Sequence, residues 1–262
     1  MGPKAALVWR PIPQATVRGI YSRSLGGVSL DESYRLEPTQ LAGFPQAFRS
    51  LISESLVGSV AAPAYTTEGL ALDLKLGART FAGIQLDRLT TDVERSDGVY
   101  VLQNGVAPGT TREALNYEEY DVTASLNRLL GNAFVAGTSY QITHSKLHDQ
   151  YVDIPVAGAD QTEEATLQEA KGYVQFNHPS GFFARGEVCW YGQANSGWST
   201  PEPGDHFFQE NISAGCYFAH GRAKLQFSIL NLAGGGYELN PLTPYQELPR
   251  SRVYEASLNF IF

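Results

Sequence analysis

The chain has 262 residues, a formal net charge of −8 and only 18% charged residues, against roughly 25% in an ordinary soluble domain. The acidic balance and the lack of any basic run exclude a nucleic-acid-binding face, no apolar run reaches the ~18 residues of a membrane helix, and the start "MGPKAALVWRPIP" has no signal-peptide core, so a targeting segment would have to precede it. Cys189 and Cys216 are too few and too far apart for a disulfide framework or a zinc site, whereas 26 glycines and 11% aromatics suit a chain of many strands and turns.

Taken in chain order, segment after segment alternates apolar and polar residues with the period of a strand. "KAALVWR" and "ATVRGIYSR" come first, followed by "GLALDLKLG", in which Leu70, Leu72, Leu74 and Leu76 oppose Ala71, Asp73 and Lys75. "TFAGIQLDRL" precedes "EYDVTASLNRL", with Tyr120, Val122, Ala124 and Leu126 against Asp121, Thr123, Ser125 and Asn127. "NAFVAGTSYQIT", "AKGYVQFN" and "FFARGEVCWY" continue the design, the last opposing Phe182, Ala184, Val188 and Trp190 to Arg185 and Glu187. "ENISAGCYFA" and "RAKLQFSIL" follow, and the chain ends on "SRVYEASLNFIF", with Tyr254, Ala256, Leu258, Phe260 and Phe262 on one side. Eleven strands are predicted. Cys189 and Cys216 fall on opposite faces in this register, so no disulfide joins them.

Alternation alone also fits a soluble sandwich or a lipocalin-like barrel. The connections discriminate. "RPIPQA", "GAR", "LLGN", "HPSG" and "HG" are tight, and between them lie long segments at residues 25–66, 91–116, 146–164, 194–206 and 233–250. Short turns on one side and long loops on the other are the signature of an outer-membrane barrel. Trp9, Phe81, Phe134, Phe176, Phe182, Phe218, Phe260 and Phe262 sit at the tight-turn ends, and Tyr21, Tyr140, Trp190 and Tyr254 toward the other rim, as two interfacial girdles require. The predicted fold class is all-β, an antiparallel transmembrane up-and-down β-barrel of about 11–12 strands in this chain. Residues 1–262 form a single barrel region, and residues 25–66 form a long extracellular or lumen-folding loop within it.

Strands cross lipid only when every backbone group is paired, so the last strand must seal to the first. Eleven strands put the two ends of the sequence on opposite sides of the membrane, whereas bacterial single-chain barrels have even strand numbers. The odd count implies at least one strand before residue 1 and hence part of a larger barrel. A twelve-stranded barrel with one strand overlooked is the competing explanation.

The stretches "WRPIPQATVRGIYSRSLGG", "RLEPTQLAGFPQAFRSLISES", "NHPSGFFARGE" and the ending "NLAGGGYELNPLTPYQELPRSRVYEASLNFIF" together resemble the C-terminal β-barrel region of TonB-dependent-receptor-like outer-membrane proteins, in particular the kind linked to tetratricopeptide repeats. Asn231 and Leu232 match the Asn-Leu-Phe-Asp common before the last extracellular loop of such receptors, and Ala233 and Gly234 depart from it. The resemblance implies the outer membrane of a Gram-negative bacterium, lipopolysaccharide and outer-membrane lipid as surroundings, and an upstream plug or repeat domain. It also implies that Tyr254, Leu258, Phe260 and Phe262 form the C-terminal signature read by the barrel-assembly machinery.

Few residues suggest chemistry. Asn177, His178 and Ser180 bring a phospholipase triad to mind, but they share one tight turn, where a spaced nucleophile and base cannot be arranged. His144, His148 and Asp149 could ligate a metal near the outer mouth, but their spacing does not discriminate and a solvated loop edge is the better reading. "NYEEYD" and "QTEEAT" read as loop charge. Asp73, Lys75, Asp87, Asp121, Lys171, Arg185, Glu187, Lys224 and Glu255, with Glu68, are predicted to line the lumen, where both signs of charge predict no ion selectivity. In "PTQLAGFPQAFRSLI", Leu41, Phe44, Phe48, Leu51 and Ile52 have near-helical spacing interrupted at Pro45, in a loop that packs on the mouth or folds into it, recognising substrate or serving as a lid.

The sequence thus predicts no enzyme, no cofactor, no metal and no nucleic-acid partner. It predicts a porin-like receptor or channel for passage or binding of a small solute at the cell surface. The alternative is an outer-membrane anchor for a periplasmic repeat domain without transport activity. Leu72→Arg is expected to be costly and a change at Asp73 mild.

Overall fold

Period-two alternation broken by glycine-rich turns can build only a sheet, and a sheet is what forms. The computed structural model describes residues 2–25, 40–45, 52, 64–101, 106–154, 160–198, 204–219, 221–236 and 251–260. Its strands are β1 (Lys4–Ile12), β2 (Ala15–Leu25), β3 (Gln40–Leu41), β4 (Phe44–Pro45), β5 (Ala64–Lys75), β6 (Thr80–Val101), β7 (Ala107–Leu130), β8 (Phe134–Tyr151), β9 (Gln161–Asn177), β10 (Phe182–Ser196), β11 (His206–Phe218), β12 (Ala223–Leu230) and β13 (Val253–Phe260). Eleven of them make one antiparallel up-and-down sheet in the order β1-β2-β5-β6-β7-β8-β9-β10-β11-β12-β13, and β3 pairs with β4 alone. All eleven strands expected from the sequence are present.

Register carries each face unbroken around the sheet. Leu72 lies between Val17 and Ile84, and the row continues through Ala124, Tyr140, Ala170 and Trp190. One residue further on, Asp73 lies between Thr16 and Gly83, and the row continues through Ser125, Ser139, Lys171, Cys189 and Gln209. The leucine face is open: Leu70, Phe227 and Leu258 are 54%, 56% and 52% exposed. Cys189 and Asp121, on the other face, are buried. A single layer with one crowded, polar face and one open, apolar face is the make-up of a barrel wall with an apolar exterior.

The tight turns close where glycine permits them. Gly131, between β7 and β8, has φ 66°, and Gly181, before β10, has φ 93°; a Cβ on Gly181 would come within 2.5 Å of the Tyr217 carbonyl oxygen. The aromatics at these ends pack laterally on the open face, with Phe134 and Phe176 rings 5.0 Å apart and Phe176 and Phe182 6.4 Å apart.

Four expectations change. The segments at 91–116 and 146–164 are not loops: β6 and β7 run on as one regular hairpin from Thr80 opposite Arg128 to Val101 opposite Ala107, and β8 pairs with β9 as far as Asp149 opposite Gln161. Beyond the apolar belt the open face carries charge and the crowded face buries charged residues such as Glu113 beside apolar ones such as Leu115, so hydropathy no longer alternates although the backbone does. Helical spacing in the loop at 25–66 does not give a helix over 40–45; Ala42 and Gly43, with φ of 50° and 87°, form a two-residue hairpin turn between β3 and β4. Phe48 and Leu51 lie outside the described residues. Register places Glu68 with Leu70 on the open face and Phe81, opposite Lys75 and Asn127, on the crowded one, because parity and not polarity decides facing. Finally, β13 does not seal to β1: among the described residues these two are the edges of an open sheet.

Candidate functional site

Asp73, Lys75, Asp87, Asp121, Lys171, Arg185, Glu187, Lys224 and Glu255 all fall on the crowded face by register. They form several local constellations. Asp87 lies directly opposite Asp121 across β6 and β7. The buried Asp121 carboxylate accepts hydrogen bonds from Thr123 Oγ1 at 3.0 Å, Thr143 Oγ1 at 2.6 Å and Gln141 Nε2 at 2.5 Å. One step up the same wall, buried Glu119 accepts from Tyr117 at 2.6 Å and Ser145 at 3.1 Å. Sequence reading passed over Glu119, although its parity with Asp121 identifies the shared face.

Lys171 pairs with Glu169 at 2.9 Å. Arg185 pairs with Glu187 at 2.5 Å and lies 4.0 Å from the centroid of the Tyr173 ring, whose hydroxyl donates to Asn127 at 2.7 Å. Lys224 stands 5.0 Å from the Phe183 ring and 5.9 Å from Tyr217. Cations on this wall therefore lean on aromatic faces or carboxylates, the arrangement of a polar surface ordered in advance. Cys189 is buried on this face and Cys216, opposite Phe182, is on the other; both thiols are free.

On the loop side of the same face, β6, β7 and β8 hold a denser cluster. Glu113 is buried and pairs with Arg95, which also approaches Asp97 at 3.7 Å. Burial pushes Glu113 up, but Arg95 and the neighbouring donors outweigh it and hold the carboxyl below its ordinary value. Burial and the adjacent Glu113 carboxylate push Asp149 up to about 7, and burial with Asp149 and Glu113 nearby raises Tyr151 to about 12. An arginine that can satisfy one of several crowded carboxylates leaves the others competing for protons.

The open face carries its own ladder just past the apolar belt. Arg88 bridges Glu118 at 2.5 Å and Glu68 at 3.7 Å, and Lys146 pairs with Glu164 at 3.1 Å. "NYEEYD" and "QTEEAT" thus lie in β7 and β9, split by parity between the two faces, and are not loop charge. The same parity separates the metal candidates: His144 and His148 lie opposite Thr166 and Thr162 on the open face, bonding them at 2.8 and 3.0 Å, while Asp149 faces the other way. Among the described residues no group of three His, Cys, Asp or Glu side chains is placed to hold a metal ion. His178 and Ser180 do touch, at 2.8 Å, but both are exposed in the turn between β9 and β10, and the bond braces that turn.

An antiparallel sheet with one open apolar face, a crowded polar face of pre-paired charges and glycine turns along one rim defines the fold class: a transmembrane up-and-down β-barrel wall. Comparison with solved structures agrees. The whole chain superposes on 44% of BauA, the ferric preacinetobactin receptor of Acinetobacter baumannii, with a TM-score of 0.53 and 9% identity. A second match is to FpvA of P. aeruginosa in a pyoverdine–Fe complex, covering 98% of this chain and 45% of that one, with a TM-score of 0.44 and 11% identity. The chain spans less than half the length of either. No protein-family model and no curated protein sequence matches it.

Proposed function

We propose that this chain is part of an outer-membrane β-barrel that acts as a TonB-receptor-like receptor or channel, with the wall carrying Asp73, Asp121, Lys171 and Arg185 lining a water-filled lumen through which a small solute is bound or passed. The observation that carries this reading is the split between the two faces. Among the described residues, rows of Leu, Ile, Phe and Ala are left open with no second layer over them, while ion pairs and buried carboxylates fill the opposite face. A soluble protein does not leave so large an apolar surface bare; hydrocarbon is the solvent that fits it.

Strand direction supports the larger barrel. β1 and β13 run the same way, both toward the tight-turn rim, so joining them would need a parallel pair in an otherwise antiparallel sheet. An odd number of further strands closes the wall with antiparallel pairs throughout. The BauA likeness, with this chain covering 44% of that one, fits such a segment.

Tryptophan quenching tests the assignment. Trp9 and Trp190 lie on the open face, and Trp198 packs on the buried cluster inside. In vesicles carrying lipid-attached quenchers, single-tryptophan variants retaining Trp9 or Trp190 are quenched and one retaining Trp198 is not. Equal quenching of all three refutes the facing. Linkage to an upstream tetratricopeptide domain is the second reading of the notable sequence likeness, and in it the barrel is an anchor that passes no solute, so vesicles containing it stay tight.

A further inference from the structure

The loop between β2 and β5 does not stop at the rim. The hairpin of β3 and β4 sits against the inner wall with Phe44 fully buried on Ile20 and Ala71. Gly69 is the floor of this seat: a Cβ there would lie 2.4 Å from Phe44 Cε1. Arg18 is the clamp. Its Nη1 donates to the Ala42 carbonyl at 2.6 Å, while Nε and Nη2 donate to Asp73 at 2.7 and 3.3 Å, and the guanidinium lies 5.4 Å from the Phe44 ring centroid. A Cβ on Gly43 would meet Arg18 Nη1 at 2.2 Å, so the turn rests directly on the clamp.

Depth decides between a cover and an obstruction. Arg18 lies seven residues before Leu25, the loop-side end of β2, or about 23 Å down the strand. A lid over the mouth has no reason to reach so far. Nor can strands of two residues hold themselves together without external contacts, so the seated state depends on the pocket for Phe44 and on Arg18.

We propose that the hairpin Gln40–Pro45 is a gate inside the lumen, kept seated by Arg18 bridging the Ala42 carbonyl and Asp73, and that its departure opens the path for solute. The proposal rests on the lumen reading given above.

The test uses the complete barrel to which this chain is proposed to belong, refolded into lipid vesicles, with two readouts: hydrogen exchange of the peptide spanning residues 40–45, and swelling of the vesicles in a small neutral sugar. Arg18→Met removes the clamp, and Phe44→Ala weakens the seat without touching a wall strand. Both are expected to speed exchange in the hairpin at least about tenfold, the loss of one charged hydrogen bond, and to raise the swelling rate severalfold over the native chain. Faster exchange with native swelling reduces the hairpin to packing and overturns the gate, and unchanged exchange overturns the clamp. Equal swelling with all three chains sinks the gate while leaving a channel. Tight vesicles with all three sink the channel and the gate together.

Discussion

Leu72→Arg separates hydrocarbon from water as the solvent of the open face. Leu72 lies five residues before Gly77, the tight turn between β5 and β6, which is about 17 Å along the strand and about 13 Å of height at a tilt of ~40°. That places it near the middle of an apolar band ~25 Å tall, where arginine costs about 2–4 kcal/mol, a factor of roughly 30 to 900 in the folding equilibrium. The same replacement on a solvated sheet surface changes stability by no more than ~0.5 kcal/mol. Equilibrium unfolding from vesicles in guanidinium, read by tryptophan fluorescence, distinguishes these outcomes. Lys75→Gln is the control on the opposite face, where the side chain is exposed and a change within ~0.5 kcal/mol is expected. If Leu72→Arg were as mild as Lys75→Gln, or the order reversed, the assignment of faces would be wrong. Asp73, which parity alone makes an equally mild position, is not one: it anchors Arg18 and through it the hairpin.

Other consequences are local. Arg95→Met strands the buried Glu113 carboxylate and is expected to cost about 3–5 kcal/mol by chemical unfolding; a loss below ~1 kcal/mol would show that the cluster protonates at no cost. The folded chain holds the Asp149 proton up to about pH 7, whereas the unfolded chain releases it near pH ~4, so stability falls as pH rises between those values and is level above them. Asp149→Asn abolishes that fall in the unfolding midpoint, and an equal fall in the variant would refute the account. Gly181→Val places a Cβ against the Tyr217 carbonyl at a backbone φ of 93°, so refolding yield into vesicles drops sharply, while Gly131→Asn, at φ 66° in open space, leaves it near native because asparagine tolerates that conformation.

All eleven strands were legible because hydrocarbon outside and water inside impose opposite demands on neighbouring residues. Where that contrast lapses the signal goes with it. The outer halves of β6 and β7 carry charge on both faces, as at Glu94 beside Arg95, and read as loop although their pairing is regular. Glu68 is misplaced for a related reason: it is a charged residue with the parity of Leu70, sited where the apolar belt has already ended and Arg88, itself paired with Glu118, meets it. The charged residues of the crowded face share it on parity alone, but the partners that order them do not follow from spacing. Arg185 meets the Tyr173 ring on the neighbouring strand, and Glu113, Asp149 and Arg95 come together from three strands.

What the sequence by itself determined was the eleven strands of the main sheet, the alternation of faces along each and the rim on which the turns are tight, since each follows from residues one, two or a few places apart. The tertiary structure alone decided that β1 and β13 stand as unjoined edges running the same way, and that Phe44 and Ala42 reach across to Gly69, Arg18 and Asp73. Those contacts join residues 24 to 55 positions apart, and no periodic pattern records them; they exist because β2 and β5 pair directly, which sets the pocket and the paired guanidinium side by side on the face where the hairpin lies.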